Sequence, residues 1–324
     1  MVRIYVTRSL PSPGIEMLKE RYEVEVNPHD RVPTKEEIVT AVKDKDALLC
    51  LLTDPIDREV IDAGSNLKII SNYAVGYNNI DVAYATKRNI LVTNTPGVLS
   101  ETTADLAFSL LMAAARRIPE GDKFMREGKF KGWGPQLMLG TDVHGKTLGI
   151  IGLGRIGRLV AKRALGFDMK ILYYSAKRKP DIEQEMGLEY AELDDLLQRA
   201  DFVSLHVPLT PDTEGLLGRR ELGLMKPSAY LINTSRGEVV DEQALIEALK
   251  NKRLRGAGLD VFTGEPTNIN QELYELENAV LAPHIGSASF ETRSKMAEMA
   301  AQAVIDAMEG KKPTYIVNPE VLAT

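Results

Sequence analysis

Three short segments carry side chains able to hold an anion or move a proton. Asn233-Thr234-Ser235-Arg236-Gly237 puts a guanidinium in a turn after an apolar run. Such a group can clamp a carboxylate with two parallel hydrogen bonds. Gly258-Leu259-Asp260-Val261-Phe262-Thr263-Gly264-Glu265-Pro266 holds one acid at the end of a strand-like run and another in the following loop. Leu281-Ala282-Pro283-His284-Ile285-Gly286-Ser287 supplies a histidine after the next apolar run. An imidazole beside a carboxylate stays protonated near neutrality and can give a proton to a forming alkoxide. His284 with Glu265 would make such a pair. Of the four histidines, His29 and His144 lie in loops, whereas His206 and His284 both follow strand-like runs. Position alone does not rank these last two.

A fourth segment, Leu148-Gly149-Ile150-Ile151-Gly152-Leu153-Gly154-Arg155-Ile156-Gly157, reads as strand, tight turn and helix. Gly152 allows the sharp turn, Gly154 lets backbone N–H groups approach a pyrophosphate, and Gly157 lets the helix pack on its strand. The phosphates would then lie at the positive end of that helix. The next strand ends about twenty residues on, where an acid would accept the ribose 2′-hydroxyl of NAD. Here that place holds Ser175, followed by Ala176, Lys177, Arg178 and Lys179. A hydroxyl with adjacent cations suits a 2′-phosphate, so the expectation is NADP(H) in preference to NAD(H), with NAD(H) as the second possibility.

Positioning these segments calls for parallel sheets. Strand candidates fall at 3–7, 22–26, 47–52, 67–71 and 89–93, with helical stretches near 13–21, 34–43 and 57–63 between several of them. Thr95-Pro96-Gly97 marks a hinge, and a strong helix with a hydroxyl-rich start follows over 104–117. The stretch 121–140 is looser and holds the single tryptophan, Trp133. From 147 onward β-α-β alternation resumes, with strands at 147–151, 169–174, 202–207, 229–233, 256–261 and 279–282, and helices at 155–165, 193–199 and 241–249. A long helix over 290–309 closes the pattern. The reading is α/β, with two parallel-sheet domains covered by helices on both faces.

Composition narrows the function classes. A chain of 324 residues suits two domains, and its 44% hydrophobic and 27% charged residues are those of a globular protein in water. A net charge of −6 argues against a coat for nucleic acid or anionic lipid, so neither nucleic acid nor membrane is an expected partner. The single cysteine, Cys50, allows no intrachain disulfide and fits a cytoplasmic location. The N-terminus runs straight into a strand-like alternation, without the pattern of a signal peptide, and the longest apolar helix candidate, 106–115, is too short to span a bilayer.

Taken together, Tyr73-Ala74-Val75-Gly76-Tyr77-Asn78-Asn79-Ile80-Asp81, the glycine fingerprint, Asn233–Gly237, Leu259-Asp260-Val261-Phe262 with Glu265-Pro266, and Pro283–Ser287 resemble the D-2-hydroxyacid dehydrogenase family over nearly the whole chain. Phe130-Lys131-Gly132-Trp133 and the 175–178 turn are similar to those of the glyoxylate/hydroxypyruvate reductases within it. The resemblance implies two Rossmann-like domains: a discontinuous, flavodoxin-like substrate domain of residues 1–97 plus 288–324, and a doubly wound coenzyme domain of 98–287. It implies a homodimer, a small 2-oxo or 2-hydroxy acid as substrate, and no metal. Residue by residue, it makes Arg236 the group that binds the substrate carboxylate and polarises the carbonyl, His284 the proton donor, and Glu265 its orienting partner. Val75 and Gly76 would offer backbone N–H groups to the same carboxylate, with Leu52 and Ser287 also at the substrate and Trp133 reaching the partner's substrate site. Asp260 would hold the nicotinamide carboxamide. Thr103, Gly152, Leu153, Gly154, Arg155, Ile156, Gly157, Ser175, Ala176, Lys177, Arg178, His206, Pro208, Thr213, Thr234, Ser235 and Gly286 would line the cofactor. Phosphoglycerate, D-lactate and phosphite dehydrogenases are the alternatives within the family, and NAD-binding corepressors share its fold.

Overall fold

The computed structural model describes residues 1–323. The chain forms two compact units, one of Met1–Leu99 with the segment from Ser287 onward, the other Ser100–Gly286. Thr324, the last residue of the substrate domain expected above, lies outside the described residues.

In the first unit the strands β1 (Arg3–Val6), β2 (Glu23–Val26), β3 (Ala47–Cys50), β4 (Ile69–Asn72) and β5 (Leu91–Thr93) form an all-parallel sheet in the order β2-β1-β3-β4-β5. This is the flavodoxin-like order, with its switch point between β1 and β3. Alternation along each strand divides the core. Ile4, Val6, Ala47, Leu49 and Ile69 face one layer, while Tyr5, Leu48, Cys50 and Ile70 face the other. The first layer is completed from the far end of the chain, because the helix Phe290–Met308 buries Met296, Ala297, Ala300, Ala301, Val304 and Ile305 there. Its contact with the helix Gly14–Lys19 is so close that a Cβ on Gly14 would lie 2.6 Å from the Ala297 carbonyl oxygen. Ser71 Oγ and Tyr73 OH donate to the carbonyls of Ala300 and Arg293 at 2.9 and 2.8 Å, fixing the helix along the sheet. The C-terminal tail covers the open edge of β5. Val317 N donates to Val92 O at 2.8 Å, and the buried Asn318 side chain accepts from Val92 N and donates to Ile90 O.

The second unit holds β6 (Thr147–Ile151), β7 (Lys170–Tyr174), β8 (Glu189–Tyr190), β9 (Phe202–Leu205), β10 (Tyr230–Asn233), β11 (Gly256–Leu259) and β12 (Ala279–Leu281). All pair in parallel in the order β12-β11-β10-β9-β6-β7-β8. This is the doubly wound order, and its switch point lies between β6 and β9. Six of these strands stand where the apolar runs predict them. The seventh, β8, escaped the sequence reading because two residues carry no periodicity. The segment expected to be loose from residue 121 is helical through Arg126, in the helix Ile118–Arg126, which buries none of its residues. Pro119 and Gly121 in its first turn read in the sequence as loop residues, which hid the helix. No helix of the described residues is long and apolar enough to cross a membrane.

Candidate active site

The strands β10, β11 and β12 are adjacent and parallel, so their carboxyl ends bring the three chemistry-bearing segments to one edge of the second unit. After β10, Asn233 wraps the turn. Its Oδ1 accepts from Ser235 N (3.0 Å) and Ser235 Oγ (2.8 Å), and its Nδ2 donates to Arg236 O (2.8 Å). Gly237 lets this turn lie against the next strand's exit, since a Cβ there would sit 2.1 Å from the Phe262 carbonyl carbon. Arg236 Nη1 donates to Ser235 O at 2.7 Å. Burial lowers the Arg236 pKa, and the nearby carboxylates of Glu265 and Glu238 oppose that shift.

Glu265 also meets the histidine, with Oε1 2.5 Å from His284 Nδ1. Nδ1 is thus committed to the carboxylate, and Nε2 is the ring atom left for chemistry. His284 adopts a left-handed backbone, φ 53°. A histidine holds that conformation only when its surroundings impose it. The restraint is the buried Asp260, whose Oδ1 accepts from Ile285 N at 2.7 Å and whose Oδ2 accepts from Gly286 N at 2.8 Å. Burial pushes the Asp260 pKa up to about 6, against those two bonds and the His284 charge. Arg236, Glu265, His284 and Asp260 therefore form one electrostatic cluster.

At the switch point the glycine fingerprint has the geometry of a phosphate cradle. Gly152 has φ 99°, and a Cβ on it would lie 2.6 Å from His206 O, while a Cβ on Gly157 would lie 2.2 Å from Gly152 O. Gly154 faces open space, with nothing within 4 Å of a Cβ position. It begins the helix Arg155–Leu165, whose first turn has no side-chain cap among the described residues, so its N–H groups can donate to an anion. Leu153 sends its side chain into the core, leaving only its backbone for a ligand, while Arg155 is exposed and Ile156 half-buried.

Around this cradle, Thr234 Oγ1 is buried without a hydrogen-bond partner among the described residues, so it could take one from a ligand. Ser235 is spent on Asn233. Thr103 lies against Gly286, with its Oγ1 3.5 Å from a Cβ position there. Thr213 Oγ1 donates to Pro208 O (2.6 Å) and accepts from Thr210 N (2.8 Å), shaping its loop. His206 Nε2 pairs with Ser204 Oγ at 2.8 Å, and burial lowers its pKa to about 3. Its Nε2 is spent on Ser204 and the ring is neutral at physiological pH. At the end of β7, Ser175 is half-buried and Ala176 and Lys177 are exposed. Arg178 is anchored to Glu183 by bonds of 2.9 and 2.8 Å and lies over the Tyr190 ring. The residues present fit an anionic dinucleotide. Among the described residues, no group of three or more His, Cys, Asp or Glu side chains could hold a metal ion.

The profile of the D-isomer specific 2-hydroxyacid dehydrogenase NAD binding domain matches residues 108–286. The chain belongs to the D-isomer specific 2-hydroxyacid dehydrogenase family. Among its relatives, the glyoxylate reductase of Korarchaeum cryptofilum is 56% identical over 99% of this chain and 97% of its own length. That of Pyrococcus furiosus is 50% identical, over 99% and 96%. Among solved structures of this dehydrogenase fold, the NADPH-dependent glyoxylate/hydroxypyruvate reductase of Sinorhizobium meliloti, in complex with NADP and malonate, is similar with a TM-score of 0.85. It is 31% identical, and the match covers 98% of this chain and 96% of that one.

Leu52, Val75, Gly76 and Ser287 belong to the first unit, the first three at the carboxyl ends of β3 and β4. Trp133 is 84% exposed in the second unit. Asn233, which holds the site in shape, carries its own signal in the sequence, since an Asn ending a strand before Thr-Ser favours a side-chain turn.

The depressed His206 pKa has a consequence for stability. The folded state refuses a proton that the unfolded chain accepts, so this contribution is full above pH 6.5 and is lost as pH falls toward about 3. Replacing it by a residue that does not titrate, His206→Gln, should reduce the loss of unfolding free energy between about pH 7 and about pH 5 by about 2 kcal/mol. Denaturant titrations of both proteins at the two pH values check this, and parallel losses would contradict it.

Proposed function

We propose that this protein reduces glyoxylate to glycolate, with hydroxypyruvate as a second substrate, using NADP(H) in preference to NAD(H). The observation that carries the reading is the Arg236–Glu265–His284 cluster at the carboxyl ends of β10, β11 and β12, beside a fingerprint built for a dinucleotide. The names of the relatives support the substrate class, and the cofactor in the Sinorhizobium meliloti enzyme supports NADP(H).

The nicotinamide, when bound, supplies a hydride to C2 of the oxo acid. Arg236 binds the carboxylate through its planar fork of donors and polarises the adjacent carbonyl. His284 gives a proton from Nε2 to the forming alkoxide, while Glu265 holds the ring through Nδ1 and balances the imidazolium charge. Asp260 keeps the His284 turn in its left-handed shape and, through its remaining lone pairs, takes the carboxamide. Gly152, Leu153, Gly154, Arg155, Ile156 and Gly157 carry the pyrophosphate. Thr103, His206, Pro208, Thr213, Thr234, Ser235 and Gly286 line the cofactor. Val75 and Gly76 donate their N–H groups to the carboxylate, and Leu52 and Ser287 bound the substrate. The first unit is the substrate domain and the second the coenzyme domain.

The same reading makes the protein a cytoplasmic homodimer. Exposed Ile118, Met125, Trp133 and Leu139 lie along one segment of the second unit and supply apolar surface for a partner copy, with Trp133 at the partner's substrate site.

For NADP(H), the support is Ser175 in place of an acid, the exposed Lys177, and an Arg178 guanidinium held ready by Glu183. Steady-state kinetics should give a kcat/KM for NADPH about tenfold above that for NADH, the size of one charge-assisted hydrogen bond. Ser175→Asp should reverse the order, and equal efficiencies in the unaltered protein would remove the NADP(H) assignment.

The catalytic assignment is tested with glyoxylate, hydroxypyruvate, pyruvate and phosphohydroxypyruvate, followed by cofactor absorbance. Glyoxylate should be turned over fastest. His284→Ala should lose a factor of about a hundred or more in kcat while cofactor affinity, read by fluorescence titration, stays unchanged. Undiminished turnover in that variant would overturn the role of His284.

A further inference from the structure

The loop after β4 presents three successive carbonyls that are each held by a donor. Thr95 N donates to Ala74 O at 2.8 Å, Asn94 Nδ2 donates to Val75 O at 2.7 Å, and Asn72 Nδ2 donates to Gly76 O at 2.8 Å. The peptide bonds here are trans, since the only cis bonds among the described residues precede Pro13 and Pro266. In a planar trans peptide the carbonyl and the following N–H point in opposite directions. Holding the carbonyls of Ala74 and Val75 from the side of residues 94–95 therefore turns the N–H groups of Val75 and Gly76 the other way. Neither N–H has an acceptor among the described residues, and both residues are half-buried, so the donors are aimed but unspent.

Asn94 itself is well placed to hold this aim. It follows β5, and its backbone N–H reaches Tyr315 O at 3.4 Å, beside the bridge between Thr93 and Ile316. The amide that grips Val75 thus stands on a strand end braced by the C-terminal tail. The carbonyl of Gly76 is fixed from inside by Asn72, which is fully buried on β4 and whose Nδ2 also lies 3.4 Å from Asn79 Oδ1. Asn79 in turn donates to Leu51 O and Asp54 O at 3.0 and 3.1 Å, tying the same loop to the exit of β3.

We propose that Asn94 is a positioning residue for substrate binding: by gripping the Val75 carbonyl it aims the Gly76 N–H at the substrate carboxylate. The proposal rests on the reading of Val75 and Gly76 as carboxylate donors. Asn94 makes no contact with substrate in this account and acts only through the peptide plane. Its loss lets the Val75–Gly76 peptide rotate and weakens one charge-assisted hydrogen bond in ground state and transition state alike, a loss of uniform binding that raises KM and spares kcat.

The test is steady-state kinetics with glyoxylate on Asn94→Ala and Asn94→Asp, with cofactor affinity by fluorescence titration and thermal unfolding alongside. Asn94→Ala should raise KM about tenfold with kcat within about threefold of the unaltered protein. The inhibition constant of oxalate, a carboxylate with no reducible carbonyl, should rise by the same factor, and cofactor affinity should not change. Asn94→Asp keeps the volume and replaces the donor by an acceptor facing a carbonyl, so it should raise KM at least as much. A KM in Asn94→Asp equal to that of the unaltered protein would overturn the proposal, because packing alone would then account for Asn94. Failure of both variants to fold would overturn it as well, by assigning the residue to stability. Absence of 2-oxo acid reduction in the unaltered protein is a separate result, which removes the reading beneath.

Discussion

A buried carboxylate with both oxygens committed to backbone N–H groups is the constraint on which the Arg236–Glu265–His284 cluster depends. Asp260 stands just past β11, between the two strands that deliver Arg236 and His284. Its bonds to Ile285 and Gly286 hold His284 in a left-handed turn. That turn puts Nδ1 against Glu265, so Nε2 is the other ring nitrogen. Keeping Asp260 away from water raises its pKa to about 6, so its anionic form is sustained at neutral pH by those two donors and by the His284 charge. The cost of burying the acid is offset in part by those bonds, which also fix the geometry of the His284 turn.

Close backbone approach is the second constraint, and glycines carry it. Gly237 brings the arginine turn against Phe262, and Gly152 brings the exit of β6 against that of β9. Gly157 seats the helix on the turn before it. In each place a methyl group would overlap backbone atoms, so substitution would move an entire strand exit. Gly154 differs, since its open face is where a ligand's phosphate would lie.

The parallel sheets were legible because their strands are buried on both faces and read as continuous apolar runs, such as Ala47–Cys50 and Phe202–Leu205. The chemistry-bearing turns were legible because strand ends concentrate Gly, Pro, Asn and charged residues. The strand β8 was not, because two residues carry no periodicity, nor was the helix Ile118–Arg126, whose first turn holds Pro119 and Gly121. Nor were the supporting amides. Asn79 and Asn94 look like ordinary turn residues in sequence, and only tertiary contact shows which carbonyl each one holds. The basic turn after β7 was legible as charge, but not the pairing of Arg178 with Glu183 five residues on.

Hydride transfer to C2 of a small 2-oxo acid is the central claim. Glyoxylate incubated with nicotinamide cofactor deuterated at the transferring C4 position tests it most directly, with the product read by NMR. The expected product is glycolate carrying one deuterium at C2, formed in step with cofactor oxidation. Cofactor oxidation that yields no deuterated glycolate, or no oxidation at all, would contradict it.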